Sequence, residues 1–332
     1  MSSSTAVSKQ VNNHDIPAAK PSLWKKLGNI HLLLLTVTIF WGTSYVAAKI
    51  GMHELLPLNL AIVRFVIAAV LFGLILLVKK GSSRLDTKDL PQFCFLGFFA
   101  ITLYFHIQYT GLLYTTSTNA GLIMATAPAF AALFCLFTKK ETITKCSLLG
   151  ISIAFLGVLL VITQGQISGL FQQRTFLGDS LILLNALMWA WFTLKSKTVL
   201  EKYNPFVAMA YVHIFGAIFL LPFAFVPSVF AEKTLWQQLP AISATTLLAA
   251  VYLAVFCSVY SYFVWYVGIA KIGAVKTATY SYFNPLMATL AGVAVYGDLL
   301  TIYTGLGGLL AIAGVYITNQ KKADRSPGCQ QN

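Results

Sequence analysis

Apolar residues run along this chain in long continuous blocks, broken by short polar gaps. A helix needs about 20 mostly apolar residues to cross the hydrocarbon core of a bilayer. Ten segments approach or reach that length: 30–50, 57–78, 91–113, 117–137, 145–163, 177–197, 205–226, 243–266, 275–296 and 301–318. The pattern predicts an all-α integral membrane protein with ten transmembrane helices. Strands of a transmembrane barrel would instead alternate apolar and polar residues over about ten positions. Residues 1–29 and 319–332 are polar tails expected in the cytoplasm, the first of them disordered. The first apolar block exceeds the roughly 7–15 residues of a signal peptide's apolar region, so it is expected to remain in the protein.

Composition agrees with this parse. Of 332 residues, 58% are hydrophobic and 10% charged, against about 25% charged in a soluble domain. The net charge of +13 does not form the basic face that nucleic acid requires. It tests orientation instead. With the N-terminus placed in the cytoplasm, the 23 Lys and Arg fall on the inner side except for Arg174 and Lys233 outside and Lys49 and Arg64 at or within spans. Positive residues favour the cytoplasmic side. Both termini are therefore expected inside, in a multi-pass protein of the cell membrane. The cysteines, Cys94, Cys135, Cys146, Cys257 and Cys329, show no metal or CxxC spacing and read as small apolar fillers.

The two halves resemble each other. Offset by 157 positions, Tyr109 meets Tyr266, Gly111 meets Gly268, Pro128 meets Pro285, Gly150 meets Gly307, Ala154 meets Ala311 and Gly157-Val158 meets Gly314-Val315. Earlier in each half the offset is 148: Trp41 meets Trp189, Lys49 meets Lys197, and Pro57 meets Pro205. Residues 30–163 and 177–318 thus read as two repeats of five spans. An odd number of spans inverts the second copy relative to the first. Secondary transporters commonly use such inverted repeats, with the substrate site near the midplane between them.

FWGTSYVAAKIG (from Phe40), PLNLAIVRF (from Pro57), the proline Pro128 followed by KKE, and Gly150 with Gly157 resemble EamA-type members of the drug/metabolite transporter superfamily. MWAWFTLKSK, YFNPLM and VYGDLLTIYTGLGGLLAIAGVYI are the weaker counterparts in the second half. The resemblance covers about residues 30–320. It implies a ten-helix inverted-repeat fold with a central cavity lined by the first four helices of each half. The fifth and tenth helices would lie at the periphery, as buttresses or dimer contacts. It also implies export of small polar or amphipathic metabolites and drugs, amino acids among them. Glu141 and Asp298 stand where the family pattern differs.

Several residues are expected to face such a cavity. Trp41, Ser44, Tyr45 and Ala48 share one helical face. That face turns to the cavity, or else Trp41 packs between helices while the hydroxyls bond back to their own helix. Lys49 sits where a long side chain can snorkel. Arg64 follows Pro57 by about 10 Å of helix, and a charge at that depth needs water or a partner. Its planar fork suits a substrate carboxylate or phosphate; interfacial snorkelling is the alternative. Thr102, His106 and Tyr109 share a face, with His106 as a proton acceptor or a helix–helix contact. His213 is the weaker histidine. Asn185 and Trp189 face one way in the sixth span. Tyr262, Tyr280 and Asn284 look too central for an interfacial belt. Pro128 and Pro285 each remove a backbone hydrogen bond, as hinges or simple bends.

The ten acids fall in loops, tails or span ends, which leaves no obvious carboxylate for a proton relay. Histidine-linked proton exchange and facilitated diffusion remain open. No HExxH, GxSxG or CxxC motif is present, so no catalytic residue, metal or cofactor is expected. The expected function is a secondary transporter or exporter of small metabolites, working by alternating access. A membrane-embedded enzyme or sensor is the rival. The expected partners are a small-molecule substrate, membrane lipids and, potentially, a second copy of the chain.

Overall fold

The computed structural model describes residues 29–78, 85–127, 129–130, 133–134, 145–165, 174–227, 233–272 and 279–319. Among them the regular structure is helical throughout. The principal elements are α1 (Ile30–Gly51), α2 (Pro57–Val78), α3 (Thr87–Tyr114), α4 (Ser117–Met124), α5 (Lys145–Thr163), α6 (Phe176–Lys202), α7 (Pro205–Leu220), α8 (Ala244–Gly268), α9 (Asn284–Tyr296) and α10 (Ile302–Asn319). Five stretches are long and apolar enough to cross a membrane: α1, α2, α3, Phe206–Phe225 and α8. Shorter apolar helices lie at Leu148–Thr163, Phe176–Phe192, Asn284–Tyr296 and Ile302–Gly314. Pro128, Glu141 and the last residues of the expected fourth span, 135–137, lie outside the described residues.

Local chemistry sets the helix ends. Asn29 accepts the amide hydrogen of His31 at 3.0 Å and caps α1. Asn204 does the same for Phe206 at 3.0 Å, ahead of Pro205 in the first turn of α7. Ser243 caps α8 through the amide of Thr246. These side chains replace acceptors that a helix start lacks. Gly297 ends α9 in the left-handed conformation, with φ 64°, which a residue with a Cβ adopts at a cost. Prolines also mark two helix ends. Pro222 stands at the start of the tight turn Leu221–Phe225, which finishes the α7 segment. Residues Thr279–Phe283 form a tight 3₁₀ turn, and α9 starts only at Asn284. Pro285 therefore lies in the first turn of α9 rather than mid-helix, where its missing N–H costs nothing.

Two elements contain π-helical turns, Phe98–Leu103 within α3 and Leu253–Tyr260 within α8. They end at positions 157 apart, the offset of the sequence repeat. Three helix pairs, each with one member from either half of the chain, pack antiparallel. In α2 and α7, Phe65 meets the ring of His213 and Phe72 meets Phe206. In α4 and α9, Thr118 lies beside Gly292 and Gly121 beside Ala288. In α5 and α10, Gly157 lies against the backbone of Gly307 and Ala311, and Gly314 against Gly150 and Ala154. The large side chains left exposed, such as Leu77, Leu156, Leu248 and Leu309, suit acyl chains as surroundings.

Candidate functional site

Arg64 is the best-enclosed cation of the described residues, only 3% exposed. Three elements hold it. From α2, its own Nε donates to Ser258 Oγ on α8 at 2.9 Å. Its Nη1 donates to the Tyr109 hydroxyl on α3 at 2.6 Å. The guanidinium lies 4.5 Å from the ring centre of Phe105 and 5.0 Å from that of Phe65. These partners are hydroxyls and ring faces; the ion pairs found among the described residues do not include Arg64. Neutral hydrogen bonds and cation–π contacts offset only part of the several kcal/mol that burying a charge costs. The snorkelling alternative does not hold, since the side chain stays inside the bundle. Ser258 was not linked to Arg64 by the sequence. It reaches Arg64 across 194 residues of chain, and no local pattern encodes that.

An aromatic layer adjoins the guanidinium. Trp41 packs edge-on against Tyr262 and Trp189 and lies 4.9 Å from the ring of Trp265. Its indole N–H donates to the Cys257 carbonyl at 3.0 Å, inside the π-helical turn, where the backbone pattern is irregular. Trp189 also meets Tyr104 and Phe192. Asn185 is fully buried and donates to the Tyr104 carbonyl at 2.8 Å, the first residue after the other π-helical turn. Its Oδ1 has no partner. A small apolar crevice of about 10 Å³, lined by residues including Phe192, Met209, Val212 and Tyr266, abuts this layer through Met209 and Tyr266, which cluster with Tyr262.

The remaining expected residues divide. Tyr109 and Tyr262 are buried in the central layer. Asn284 lies next to Gly42, whose missing Cβ leaves room for the Asn284 carbonyl, and its Oδ1 is buried without a partner. Ser44 donates to its own helix, at the Trp41 carbonyl, at 2.6 Å, so its hydroxyl serves the backbone. His106 is half-buried, and its Nδ1 lacks a partner. Tyr280 is not central: it bonds His31 at the start of α1. His213, weighted least by sequence, is completely buried against Phe65, Phe72 and Tyr262. Its Nδ1 contacts the Met209 carbonyl at 2.9 Å and its Nε2 is unpartnered. His213 rather than His106 thus adjoins the Arg64 layer. Among the described residues no group of three metal-ligating side chains forms.

A sequence profile described as the EamA-like transporter family matches residues 28–163 and again 176–320. This chain belongs to the EamA-like transporter family. An uncharacterized transporter of Archaeoglobus fulgidus is 32% identical, over 88% of this chain and 98% of its own length. A protein of Escherichia coli named a probable amino-acid metabolite efflux pump is 28% identical, over 86% of this chain and 93% of its own. A solved crystal structure superposes with a TM-score of 0.59 at 17% identity, covering 87% of this chain and 96% of that one, which is a likeness of fold. The EamA-like chain is thus a membrane transporter rather than an enzyme.

Proposed function

We propose that this EamA-like protein is a secondary transporter of the cell membrane that exports small carboxylate-bearing metabolites, amino acids among them, by alternating access. The observation that carries the reading is Arg64, a buried guanidinium whose recorded partners are neutral hydroxyls and aromatic faces. A carboxylate is the ligand that such a fork binds in a planar, bidentate way. The aromatic layer of Trp41, Trp189 and Tyr262 supplies apolar surface for the rest of an amphipathic solute. Asn185 and Asn284 contribute unpaired carbonyl oxygens for an ammonium group. The name of the Escherichia coli relative agrees with amino acids as cargo.

The reading includes two inverted repeats with both termini in the cytoplasm. The antiparallel packing of α2 with α7, α4 with α9 and α5 with α10 supports it, as do the matched π-helical turns. Equivalent halves of opposite sense can exchange conformations, and that exchange moves access from one side to the other. The junction at Asn284-Pro285, between the 3₁₀ turn and α9, is a natural hinge in that exchange.

The test is efflux from proteoliposomes loaded with radiolabelled amino acids or with a cationic dye. Arg64→Ala is expected to slow efflux of carboxylate solutes by about 10- to 100-fold, the value of one to two charge-assisted hydrogen bonds. Dye efflux should change far less. Equal loss for both solutes, or no loss for either, would remove Arg64 from the substrate site.

A further inference from the structure

Asp179 is the one carboxylate among the described residues with no measurable exposure. It lies in the first turn of α6, at the end of the bundle that carries the α1–α2 and α3–α4 connections. Position along the chain made it look like a residue of the span end, but laterally it is enclosed. Three neutral side chains face it. Thr115, in the α3–α4 turn, donates its hydroxyl to Oδ1. Asn119, in α4, places Nδ2 3.3 Å from both carboxylate oxygens. Thr175, one turn earlier, also reaches it. Gly178 presses on the backbone of Tyr114 and Thr115 and fixes this contact at backbone distance. No charged side chain among the described residues faces the carboxylate. Arg174 is exposed, and Asp298 is engaged by Thr118. Close by, Ser117 is fully buried and its hydroxyl has no partner.

A buried carboxylate must be neutralised by a cation, by hydrogen bonds or by a proton. Here enclosure opposes the charge, while three donors and the N-terminal ends of α4 and α6 favour it. Opposed influences of this kind keep a group titratable. Its two states also differ mechanically. The anion holds Thr115 and Asn119 through charge-assisted bonds, which tie α6 to the α3–α4 turn and so join the two halves of the chain. The neutral acid accepts weaker bonds from them and must donate its own proton, for which the Asn119 side-chain amide, beside both oxygens, offers a carbonyl on flipping.

We propose that Asp179 is a proton-binding site whose charge state latches and releases α6 from the α3–α4 turn. Uptake is a plain acid–base step: the carboxylate takes a proton from hydronium, leaving the carboxylic acid and water. Its use in coupling rests on the transport reading above; the binding of the proton does not.

The experiment has two arms on the full-length protein in liposomes. Infrared difference spectroscopy is recorded from about pH 4 to about pH 9, spanning the range over which perturbed carboxyls titrate. The expected result is a protonated-carboxyl band that titrates in the wild type and is missing from Asp179→Asn. Thr115→Val, which deletes one donor to the anion, should move that band's midpoint up by about one pH unit. Identical spectra for the wild type and Asp179→Asn would overturn the proposal, as would a band that answers to sodium chloride and not to pH. In the second arm, efflux of radiolabelled amino acids is followed under an imposed pH gradient. Wild-type efflux that follows the gradient and Asp179→Asn efflux that ignores it support the latch. A variant that follows the gradient like the wild type overturns it. Absence of wild-type efflux altogether would fail the transport reading, with the infrared result still deciding whether Asp179 binds a proton.

Discussion

The Arg64 layer and the α5–α10 contact both join the two halves of the chain, with opposite chemistry. Around Arg64 the helices meet through side chains: a guanidinium, two hydroxyls, and a stack of Phe, Trp and Tyr rings. Between α5 and α10 they meet through backbone, with Gly157 seated on Gly307 and Ala311 and Gly314 on Gly150 and Ala154. Lipid offers no hydrophobic drive for helices to associate, so close approach of small residues and interhelical hydrogen bonds must hold them. The glycine contact is the inexpensive solution, with apolar side chains such as Leu156 and Leu309 free to face lipid. The arginine layer is the costly one. On the proposed reading the costly arrangement serves a ligand, whereas the glycine contact has a structural task.

The sharpest way to break that contrast is to fill the glycine contact. A Cβ at Gly157 would collide with the backbone nitrogen of Ala311 and the carbonyl of Gly307, neither of which can rotate away. Gly157→Val should destabilise the protein by about 3 kcal/mol or more, the upper range for overpacking. Thermal unfolding in detergent would show a lowered midpoint, with loss of transport following loss of folded protein. An unchanged midpoint would mean that the two helices do not pack at backbone distance. Tyr109→Phe comes next in size and should behave in the opposite way. It removes one hydrogen bond to the Arg64 guanidinium and little volume. Efflux of a carboxylate solute should change about 10-fold, in line with one bond to a charged group, while the unfolding midpoint moves only slightly. A large stability loss without a specific effect on carboxylate solutes would make the Arg64 layer structural, like the glycine contact.

These two regions were unequally legible in the sequence. The glycines stood out because the repeat aligns Gly150 with Gly307 and Gly157 with Gly314, and small residues in apolar segments point to helix contacts. Arg64 stood out because a charge within a span demands an explanation. Its pairings did not: Ser258 becomes a partner, and His213 a neighbour of the same layer, only through packing of α8 and α7 on α2, and Tyr109 was expected at the cavity without its bond to Arg64. The π-helical turns were also invisible, since no residue type encodes them and the surrounding packing selects them. Asp179 was misjudged because chain position reports depth along the bilayer normal and says nothing about lateral enclosure. Tyr280 was misplaced for the related reason that its segment forms a tight turn beside the start of α1 rather than part of a long helix.

A third, smaller effect concerns the acidic corner that follows α9. Asp298 accepts from the amide of Thr118 at 3.1 Å and from its hydroxyl at 2.9 Å, and so caps α4 from the other half of the chain. That capping explains an acid at this position without any role in binding. Asp298→Asn keeps an acceptor oxygen but loses the charge. It should cost about 1 kcal/mol, as for other helix caps, visible as a modest drop in the unfolding midpoint. If it instead abolished efflux at unchanged stability, the cap would belong with Arg64 among the functional groups.

The smallest expected effect is that of Glu54, in the α1–α2 connection. Its Oε2 accepts from the amide of Ser243 at 2.7 Å, at the start of α8. That backbone hydrogen bond, helped by Thr246, holds the carboxyl below the usual glutamate range. A carboxylate depressed in the folded state adds stability that is fully present above its unfolded value, about 4.3 for glutamate, and fades as pH falls through the lower folded value. Glu54→Gln lacks the titrating group. The wild type should therefore unfold slightly above Glu54→Gln at neutral pH, by a constant margin down to about pH 4, and the margin should close below it. Because Glu54 is exposed, water and salt screen most of the gain, and added salt should shrink the margin as well. A margin that widened on acidification would reverse the sign of the linkage and remove Glu54 as a clasp between the α1–α2 connection and α8. A salt series on Asp298→Asn separates an exposed clasp from a partly buried one. The buried cap should be the less sensitive of the two to salt, since its bonds to Thr118 are sheltered by Gly292.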